Sequence, residues 1–213
     1  MTATPTCPRC AGGLHAPGLM TSTWDCERHG AVTPYAVVHP AGAGTLPAAV
    51  RQHGARSQVP LWFPLPLLPG WTFGGLAVAA DERSGARATA LALSGPCPVG
   101  GPADLVLVAE EPGVGLGARL AGLEGLDPGD VTHGPPDAKV LAAGHPTPLW
   151  RCPSADDRVA LVGEAAGIWL WAVIWPPAAE LLMLEHVELH DLRSEAQAAL
   201  DLPIGAPSPR LDL

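Results

Sequence analysis

The stretch CPRCAGGLHAPGLMTSTWDCERHG, residues 7–30, most constrains what this chain can fold into. It contains two close pairs of potential metal ligands, Cys7 with Cys10 and Cys26 with His29, separated by fifteen residues. A Cys-x2-Cys turn places two sulfurs on one side of an ion, and a second pair completes a tetrahedron. The spacing therefore predicts a zinc site. Because four protein ligands leave no position for water, we expect the zinc to be structural rather than catalytic.

Two other interpretations of this stretch stay open. Three unrelated cysteines near a histidine would have to explain both pairings, as well as the glycines Gly12 and Gly30 that follow the turns. His15 could replace His29, although it follows Cys10 too far along the chain to belong to the first turn. A site with three thiolates and a vacant fourth position would still bind zinc tightly without His29.

The composition favours a folded body made of short elements. Of the 213 residues, 47% are hydrophobic and 15% are charged, which is enough apolar material for a core. Twenty-five prolines and 25 glycines favour turns over long helices. The five cysteines are an odd number, so a disulfide framework is a poor fit and a reducing cytoplasm is expected. The chain opens MTATPTCPRC, which does not resemble a secretory leader.

The charge is unevenly distributed along the chain. Residues 1–60 carry four arginines and two acidic residues, a net charge of +2. The remaining residues carry a net charge of −11, which gives −9 for the whole chain. The acidic remainder would repel phosphate backbones, so we do not expect nucleic acid as a partner. The most apolar run, residues 165–179, is shorter than the roughly 20 residues that span a bilayer, so no membrane span is expected.

Four segments follow from the patterns of composition and hydropathy. Residues 1–40 are predicted to form a zinc-ribbon module, and residues 41–60, rich in Gly, Ala and Pro, a flexible linker. Residues 61–193 are predicted to form an α+β domain, and residues 194–213 a proline-rich C-terminal tail.

The predicted fold class is α+β, with a small N-terminal zinc ribbon followed by a mainly antiparallel twisted sheet with one or two short helices. Alternating or continuous apolar runs predict the strands: WTFGGLAVAA, ARATALALS, DLVLVAE, KVLAAG, TPLWRC, the two halves of DRVALVGEAAGIWLWAVIWP, and EHVELHDL. The segments VGLGARLAGLEG and PPAAELLMLE have one apolar face and predict the helices.

Several motifs together resemble a family of actinobacterial proteins of unknown function. They are CPRC, WDCERHG, LPGWTF, GPADLVLVAEEPGVGLGARLAG and AAGHPTPLW, which are spread over most of the chain. The resemblance implies an N-terminal zinc-ribbon-like segment and a bacterial cytoplasmic protein. It implies no activity, substrate or catalytic residue.

The glycine-rich turn EEPGVGLGARLAG is the second candidate site. Gly113, Gly115 and Gly117 precede a predicted helix, an arrangement that can present backbone amides to a pyrophosphate. The text also resembles the acyl-CoA-binding turn of N-acetyltransferases. However, Glu110 and Glu111 stand where those enzymes usually place a basic or amide residue, and two carboxylates would repel a diphosphate. The alternative is a tight turn that packs a helix against the sheet.

The segment LEHVELHD is a third candidate. On a strand, His186, Glu188 and His190 share one face with room for a second metal or an acid–base group. On a helix, His186 and His190 would lie four residues apart on one side. No residue elsewhere obviously completes the ligand set, although His133 and His145 lie in predicted loops, so a solvated edge strand is the preferred interpretation. Glu185 and Asp191 belong to the same acidic segment.

Three tryptophans and two isolated cysteines each have a structural and a functional interpretation. Trp169, Trp171 and Trp175 share one face of an alternating strand, which favours core packing, with an exposed binding stripe as the alternative. Cys97 and Cys152 have no neighbouring His or Lys in the sequence that would activate a nucleophile.

The sequence thus favours a non-catalytic zinc-binding protein that acts as a protein-interaction, adaptor or regulatory module. A protein partner is expected, and self-association through the same surfaces stays open. The alternative is an acyltransferase-like enzyme that binds acyl-CoA or a nucleotide at the Gly113 to Gly117 turn, with Glu110, Glu111 or a histidine as base. A zinc-dependent regulator of transcription or RNA is a weaker third possibility.

Overall fold

The computed structural model of the chain describes residues 4–19, 21–38, 45–54, 57–184, 186–195 and 202–212. Within these residues there are twelve strands, two α-helices and two 3₁₀ helices. The strands are β1 (Trp24–Cys26), β2 (Gly30–Val32), β3 (Tyr35–Val38), β4 (Trp62–Pro64), β5 (Thr72–Asp81), β6 (Gly85–Pro96), β7 (Pro102–Glu110), β8 (Ala138–Ala142), β9 (His145–Cys152), β10 (Val159–Ala165), β11 (Ile168–Trp175) and β12 (Val187–Asp191). The helices are α1 (Thr45–Gly54), α2 (Leu116–Ala121) and the 3₁₀ helices Pro177–Leu184 and Pro209–Asp212.

Ten of the strands form one sheet in the order β3-β5-β6-β7-β11-β10-β9-β8-β12-β4. All neighbours are antiparallel except β12 and β8, which are parallel. The predicted mainly antiparallel α+β fold with few, short helices is therefore confirmed. The strands β1 and β2 form a separate two-stranded ribbon.

Both faces of the central strands are buried, which explains their nearly continuous apolar sequences. On β7, Leu105 and Leu107 belong to one core cluster, whereas Val106 and Val108 belong to a second cluster on the opposite face. The helix α2 covers the second face, so the side chains that position the candidate site are part of a core.

The segment predicted as a flexible linker differs from that expectation, because it contains α1. Leu46, Ala49 and Val50 on this helix are buried in the first core cluster. Their spacing of three and four residues is a helical face, which the Gly, Ala and Pro of the surrounding sequence conceal. Pro47 lies in the first turn, where its missing N–H is tolerated. Residues 41–44 and 55–56 lie outside the described residues.

The described part of the predicted C-terminal tail, residues 202–212, packs against the sheet instead of trailing away from it. The Phe73 amide donates to the Pro203 carbonyl at 2.8 Å, and the Ser208 amide donates to the Gly74 carbonyl at 2.8 Å. Leu211 is fully buried in the second core cluster. Residues 196–201 and 213 lie outside the described residues.

The N-terminal region is joined to the large sheet by its own backbone. The strand β3 pairs with β5, and the amides and carbonyls of Thr6 and Tyr35 exchange two hydrogen bonds of 2.8 Å. Residues 1–40 thus contribute a strand to the sheet that residues 61–193 were predicted to form. The four predicted segment boundaries themselves stay predictions.

None of the described helices has the length and apolar character needed to cross a membrane.

Candidate metal centre

Cys7, Cys10, Cys26 and His29 lie together, with their ligand atoms all within 4.8 Å of one another. The Sγ atoms of Cys10 and Cys26 are 3.8 Å apart, and His29 Nδ1 is 3.5 Å from Cys7 Sγ and 3.6 Å from Cys26 Sγ. Zn–S bonds of about 2.3 Å and Zn–N bonds of about 2.05 Å give tetrahedral edges of about 3.8 Å for S···S and about 3.6 Å for S···N. These three separations are therefore close to tetrahedral edges, and the three cysteines form no disulfide.

Tight backbone turns position each pair of ligands. In the first knuckle, which we define as Cys7–Cys10, the Ala11 amide donates to the Cys7 carbonyl at 2.8 Å, and Ala11 has a φ of 56°. In the second knuckle, Cys26–His29, the His29 amide donates to the Cys26 carbonyl at 3.2 Å. The positive φ of 64° at the next residue, Gly30, turns the chain into β2 and explains the glycine there.

Hydrogen bonds tie the two knuckles together through the segment between them. The amides and carbonyls of His15 and Asp25 exchange two hydrogen bonds of 2.9 and 3.0 Å. The side chain of His15 lies 3.6 Å from Glu27, with 69% of it exposed, and is not a member of the cluster. His15 is therefore not a ligand in this arrangement, and His29 occupies the fourth position.

The two buried thiols of the cluster have opposite pKa shifts. Burial raises the pKa of Cys7 to about 11, although backbone amides of its knuckle oppose the rise. Burial also acts to raise the pKa of Cys26, but hydrogen bonds from the Arg28 and His29 amides and the His29 ring lower it to about 6. Amides that brace a sulfur in this way stabilise the thiolate, which is the form that binds a metal ion.

The first knuckle docks on the glycine-rich turn, so the two sites that the sequence treats separately form one assembly. Arg9 donates from its Nε to the Val114 carbonyl at 3.2 Å and from a terminal nitrogen to the Gly113 carbonyl at 2.8 Å. In the reverse direction, Arg119 of α2 donates from its Nε to the Pro8 carbonyl at 2.8 Å. Sequence analysis missed both arginines; their place inside the two motifs, CPRC and GLGARLAG, is the only signal.

The amides of the glycine-rich turn are already bound to carboxylates. The Leu116 and Gly117 amides donate to the two carboxylate oxygens of Glu110 at 2.8 and 3.1 Å. The Gly113 amide donates to Asp127 at 2.9 Å. The predicted pyrophosphate-binding amides are thus occupied, which argues against a diphosphate at this turn. Gly113 and Gly115 instead supply φ values of 82° and 85° that a tight turn requires.

Glu110 is a buried acid that caps α2. Burial raises the pKa of its carboxyl from 4.5 to about 7, against the opposing effect of the Gly117 and Leu116 amides. The side chain takes the place of the missing cap, since the residue at the start of α2, Gly115, has no side chain to offer. This explains why a pair of glutamates precedes the glycines without any need for a catalytic base.

We expect a pH dependence of stability that belongs to Glu110. A pKa that is higher in the folded state gives stability that is complete below pH 4.5 and is lost as the pH rises through about 7. The free energy of unfolding of wild type relative to Glu110→Gln should therefore fall by about 3 kcal/mol between pH 4 and pH 8.5; this difference removes the pH dependence of metal binding, which both proteins share. Urea titrations of both proteins, with metal in excess at each pH, measure these free energies of unfolding.

The matched control is Glu111→Gln, which removes the half-exposed partner of Arg87. This variant should keep the wild-type pH profile. If the free energies of unfolding of wild type and Glu110→Gln change in parallel with pH, the Glu110 carboxyl is not the group that titrates.

Two of the three tryptophans predicted to share a face of one strand are buried in the core. Trp171 and Trp175 are 0% and 2% exposed. Trp169 is half-buried and donates from its Nε1 to Asp127 at 3.1 Å, so it supports the glycine-rich turn. Arg158 and Arg210 stack on Trp175, with guanidinium carbons 5.0 and 4.9 Å from a ring centroid.

The other predicted candidates do not assemble into a site. His190 lies 2.9 Å from Glu195 and 3.7 Å from Glu188, whereas His186 is exposed; Glu185 lies outside the described residues. Across the described ranges, the metal-ligand cluster with three or more members is the Cys and His cluster described above. Cys97 and Cys152 are both buried, and burial raises the pKa of Cys152 to about 11, which suits inert thiols.

A groove of about 1060 Å³ separates the N-terminal ribbon from the β5–β6 hairpin. Trp24, Ala31 and Val32 of the ribbon line one side, and Ala80 and Arg87 of the hairpin line the other. Arg9, Gly113 and Val114 also line it, so the docking contact of the first knuckle lies at the edge of the groove. The position of the ribbon therefore sets the width of this groove.

Comparison with known proteins gives one match. A model of a family described as a family of unknown function (DUF6758) matches residues 1–211. No curated protein and no solved structure matches the chain.

Proposed function

We propose that this chain, which belongs to the family of unknown function DUF6758, is a non-catalytic zinc protein whose N-terminal region forms one wall of a protein-binding groove. The observation that carries the proposal is the geometry of the four ligand atoms. Three of their six separations, 3.5, 3.6 and 3.8 Å, are close to the edges of a tetrahedron around zinc, and all four ligand atoms belong to the protein.

The donor set supports zinc over other metals. Three thiolates and one imidazole are soft or borderline ligands, which disfavour magnesium and calcium, and a tetrahedral arrangement of sulfur and nitrogen suits zinc. A zinc ion with four protein ligands has no bound water to activate, so its role is to hold the two knuckles in place. Zinc would then stabilise the ribbon, which is too small to bury a core of its own.

The groove supports the binding role. Its sides combine apolar and aromatic surface with charges of both signs, including Arg83 and Arg87 against Asp81 and Glu82. Mixed surfaces with an aromatic residue are typical of protein interfaces. Because one side belongs to the ribbon, a partner that binds here would recognise the zinc-loaded form.

Filling the groove tests this function. Ala31 is exposed on β2 and lines the groove, so Ala31→Arg adds a long charged side chain there without changing a ligand. Ala178→Arg is the control, since Ala178 is exposed on a 3₁₀ helix outside the groove lining. Cross-linked capture from native cells, quantified by mass spectrometry, should give proteins that bind wild type and Ala178→Arg but bind Ala31→Arg about tenfold less.

Two outcomes would contradict the proposed function. One is an identical set of captured proteins for all three baits. The other is a thermal stabilisation of several degrees by coenzyme A or a nucleotide, which would favour the acyltransferase-like enzyme at the glycine-rich turn.

A further inference from the structure

Arg119 is a buried guanidinium whose terminal nitrogens have no acceptor. Its Nε donates to the Pro8 carbonyl between the two cysteines of the first knuckle. Both terminal nitrogens are inaccessible to solvent and have no hydrogen-bond partner among the described residues. The guanidinium carbon lies 5.0 Å from the centroid of the Tyr35 ring. An ionised group buried in this way costs several kcal/mol unless an opposite charge compensates it.

Several other arginines of the protein have a carboxylate partner, which Arg119 lacks among the described residues. In the described part of the chain, five arginines contact a carboxylate within 4.0 Å: Arg87, Arg151, Arg158, Arg193 and Arg210. Among the residues that the structure describes, no carboxylate lies within this distance of Arg119. In an acidic protein with 21 Asp and Glu residues, a buried arginine without a carboxylate needs another source of negative charge.

Tyr35 does not supply that charge. Its hydroxyl donates to the Leu211 carbonyl at 2.6 Å, and burial raises the pKa of the phenol, so the side chain is neutral at pH 7. The ring contributes the attraction of its π face to the cation but carries no negative charge.

The zinc complex supplies it. Zn²⁺ with three thiolates and a neutral imidazole carries a net charge of −1, and Arg119 donates to the carbonyl of Pro8, which stands between the ligands Cys7 and Cys10 in the chain. We propose that Arg119 is the counter-ion of the anionic zinc centre, a positioning residue that favours the metal-loaded state of the cluster. The inference rests on the zinc site proposed above and adds a role for a residue outside the ligand set.

Three substitutions at one position separate charge from contact. Arg119→Lys keeps the positive charge, Arg119→Gln keeps a donor that can reach towards Pro8 but loses the charge, and Arg119→Met keeps only the apolar stem. The measurement is the apparent zinc dissociation constant, obtained by competition with a chromophoric chelator at fixed pH. We expect Arg119→Gln and Arg119→Met each to bind zinc at least about tenfold more weakly, and Arg119→Lys to stay within about threefold of wild type.

Arg9→Gln is the matched control, because Arg9 holds the same knuckle to the same turn through neutral carbonyls. Because Arg9 is itself a cation next to Cys10, its variant measures lost docking and lost charge together; if docking alone governs affinity, Arg119→Lys will weaken zinc binding as much as Arg119→Gln, which overturns the inference. Equal affinity of Arg119→Gln and wild type overturns it as well. Wild-type protein that binds no zinc would instead contradict the proposed function, so the two failures are distinguishable. If Arg119→Met does not fold, the Lys and Gln variants decide the question.

Discussion

Replacing Cys10 with serine is expected to abolish zinc binding and to unfold the N-terminal ribbon locally. The serine oxygen is a poor ligand for zinc at neutral pH, so one corner of the tetrahedron is lost. Structural zinc contributes about 10–16 kcal/mol of apparent binding free energy in zinc-finger peptides, far more than a small ribbon gains from packing. Zinc content after dialysis against a weak chelator should fall from one ion per wild-type chain to nearly none.

Hydrogen exchange shows where the structure is lost. In Cys10→Ser, the amides between Thr6 and Tyr35 should exchange rapidly, including the His15 and Asp25 pair that joins the knuckles. The amides of β7 and β11 lie in the centre of the large sheet and should stay protected. Treatment of the wild-type protein with a strong chelator should give the same pattern.

Cys97→Ser is the matched control for this change, since Cys97 is also a buried cysteine but lies outside the cluster. It should retain full zinc content. A His29→Ala variant extends the test: if it keeps one tightly bound zinc ion, the site has three protein ligands and an open position, and the closed structural site is wrong.

Gly117→Ala is expected to destabilise the protein by about 3 kcal/mol or more. A Cβ atom at this position would lie 2.4 Å from Nε1 of Trp171 and 2.5 Å from two other atoms of the same ring. Trp171 is fully buried on the central strand β11, so it has no space into which it can move. The added methyl group must push α2 away from the sheet, at the cost of overpacking and of the Glu110 hydrogen bonds.

Gly125→Ala is the control, because the closest atom to a Cβ there is the Asp127 carbonyl oxygen at an ordinary 3.5 Å. Its free energy of unfolding, measured in urea, should lie within about 0.5 kcal/mol of wild type. A Gly117→Ala protein within about 1 kcal/mol of wild type would show that the helix can shift freely. Weaker zinc binding by Gly117→Ala would show in addition that Arg119 moves with α2.

The parts of this protein that could be predicted from sequence depend on local patterns. Two pairs of metal ligands within 23 residues define a site by spacing alone, because each knuckle is a single turn. Strands such as β7 and β11 are apolar on both faces, and only a covered sheet accommodates such a pattern. The short helix α2 and the glycine-rich turn before it are likewise predicted from the local sequence GVGLGARLAG.

The parts that could not be predicted depend on contacts between distant residues. Arg9 and Gly113 are separated by 104 positions, and Arg119 and Pro8 by 111. No local pattern shows that one arginine of each motif reaches the other motif. The glycine-rich turn also has the same sequence whether its amides bind a phosphate or the Glu110 carboxylate. The helix α1 was missed because its few buried side chains, Leu46, Ala49 and Val50, lie among small residues.

The hydrogen bond from the Tyr35 hydroxyl to the Leu211 carbonyl spans 176 positions of sequence. During synthesis on the ribosome, Tyr35 emerges long before the residue that accepts its hydrogen bond, and β3 emerges before its partner β5. The knuckles can bind zinc at once, since all four ligands lie within the first 29 residues. Metal loading therefore can come first, docking of the first knuckle waits for the glycine-rich turn and α2, and the Tyr35 hydrogen bond waits for almost the whole chain.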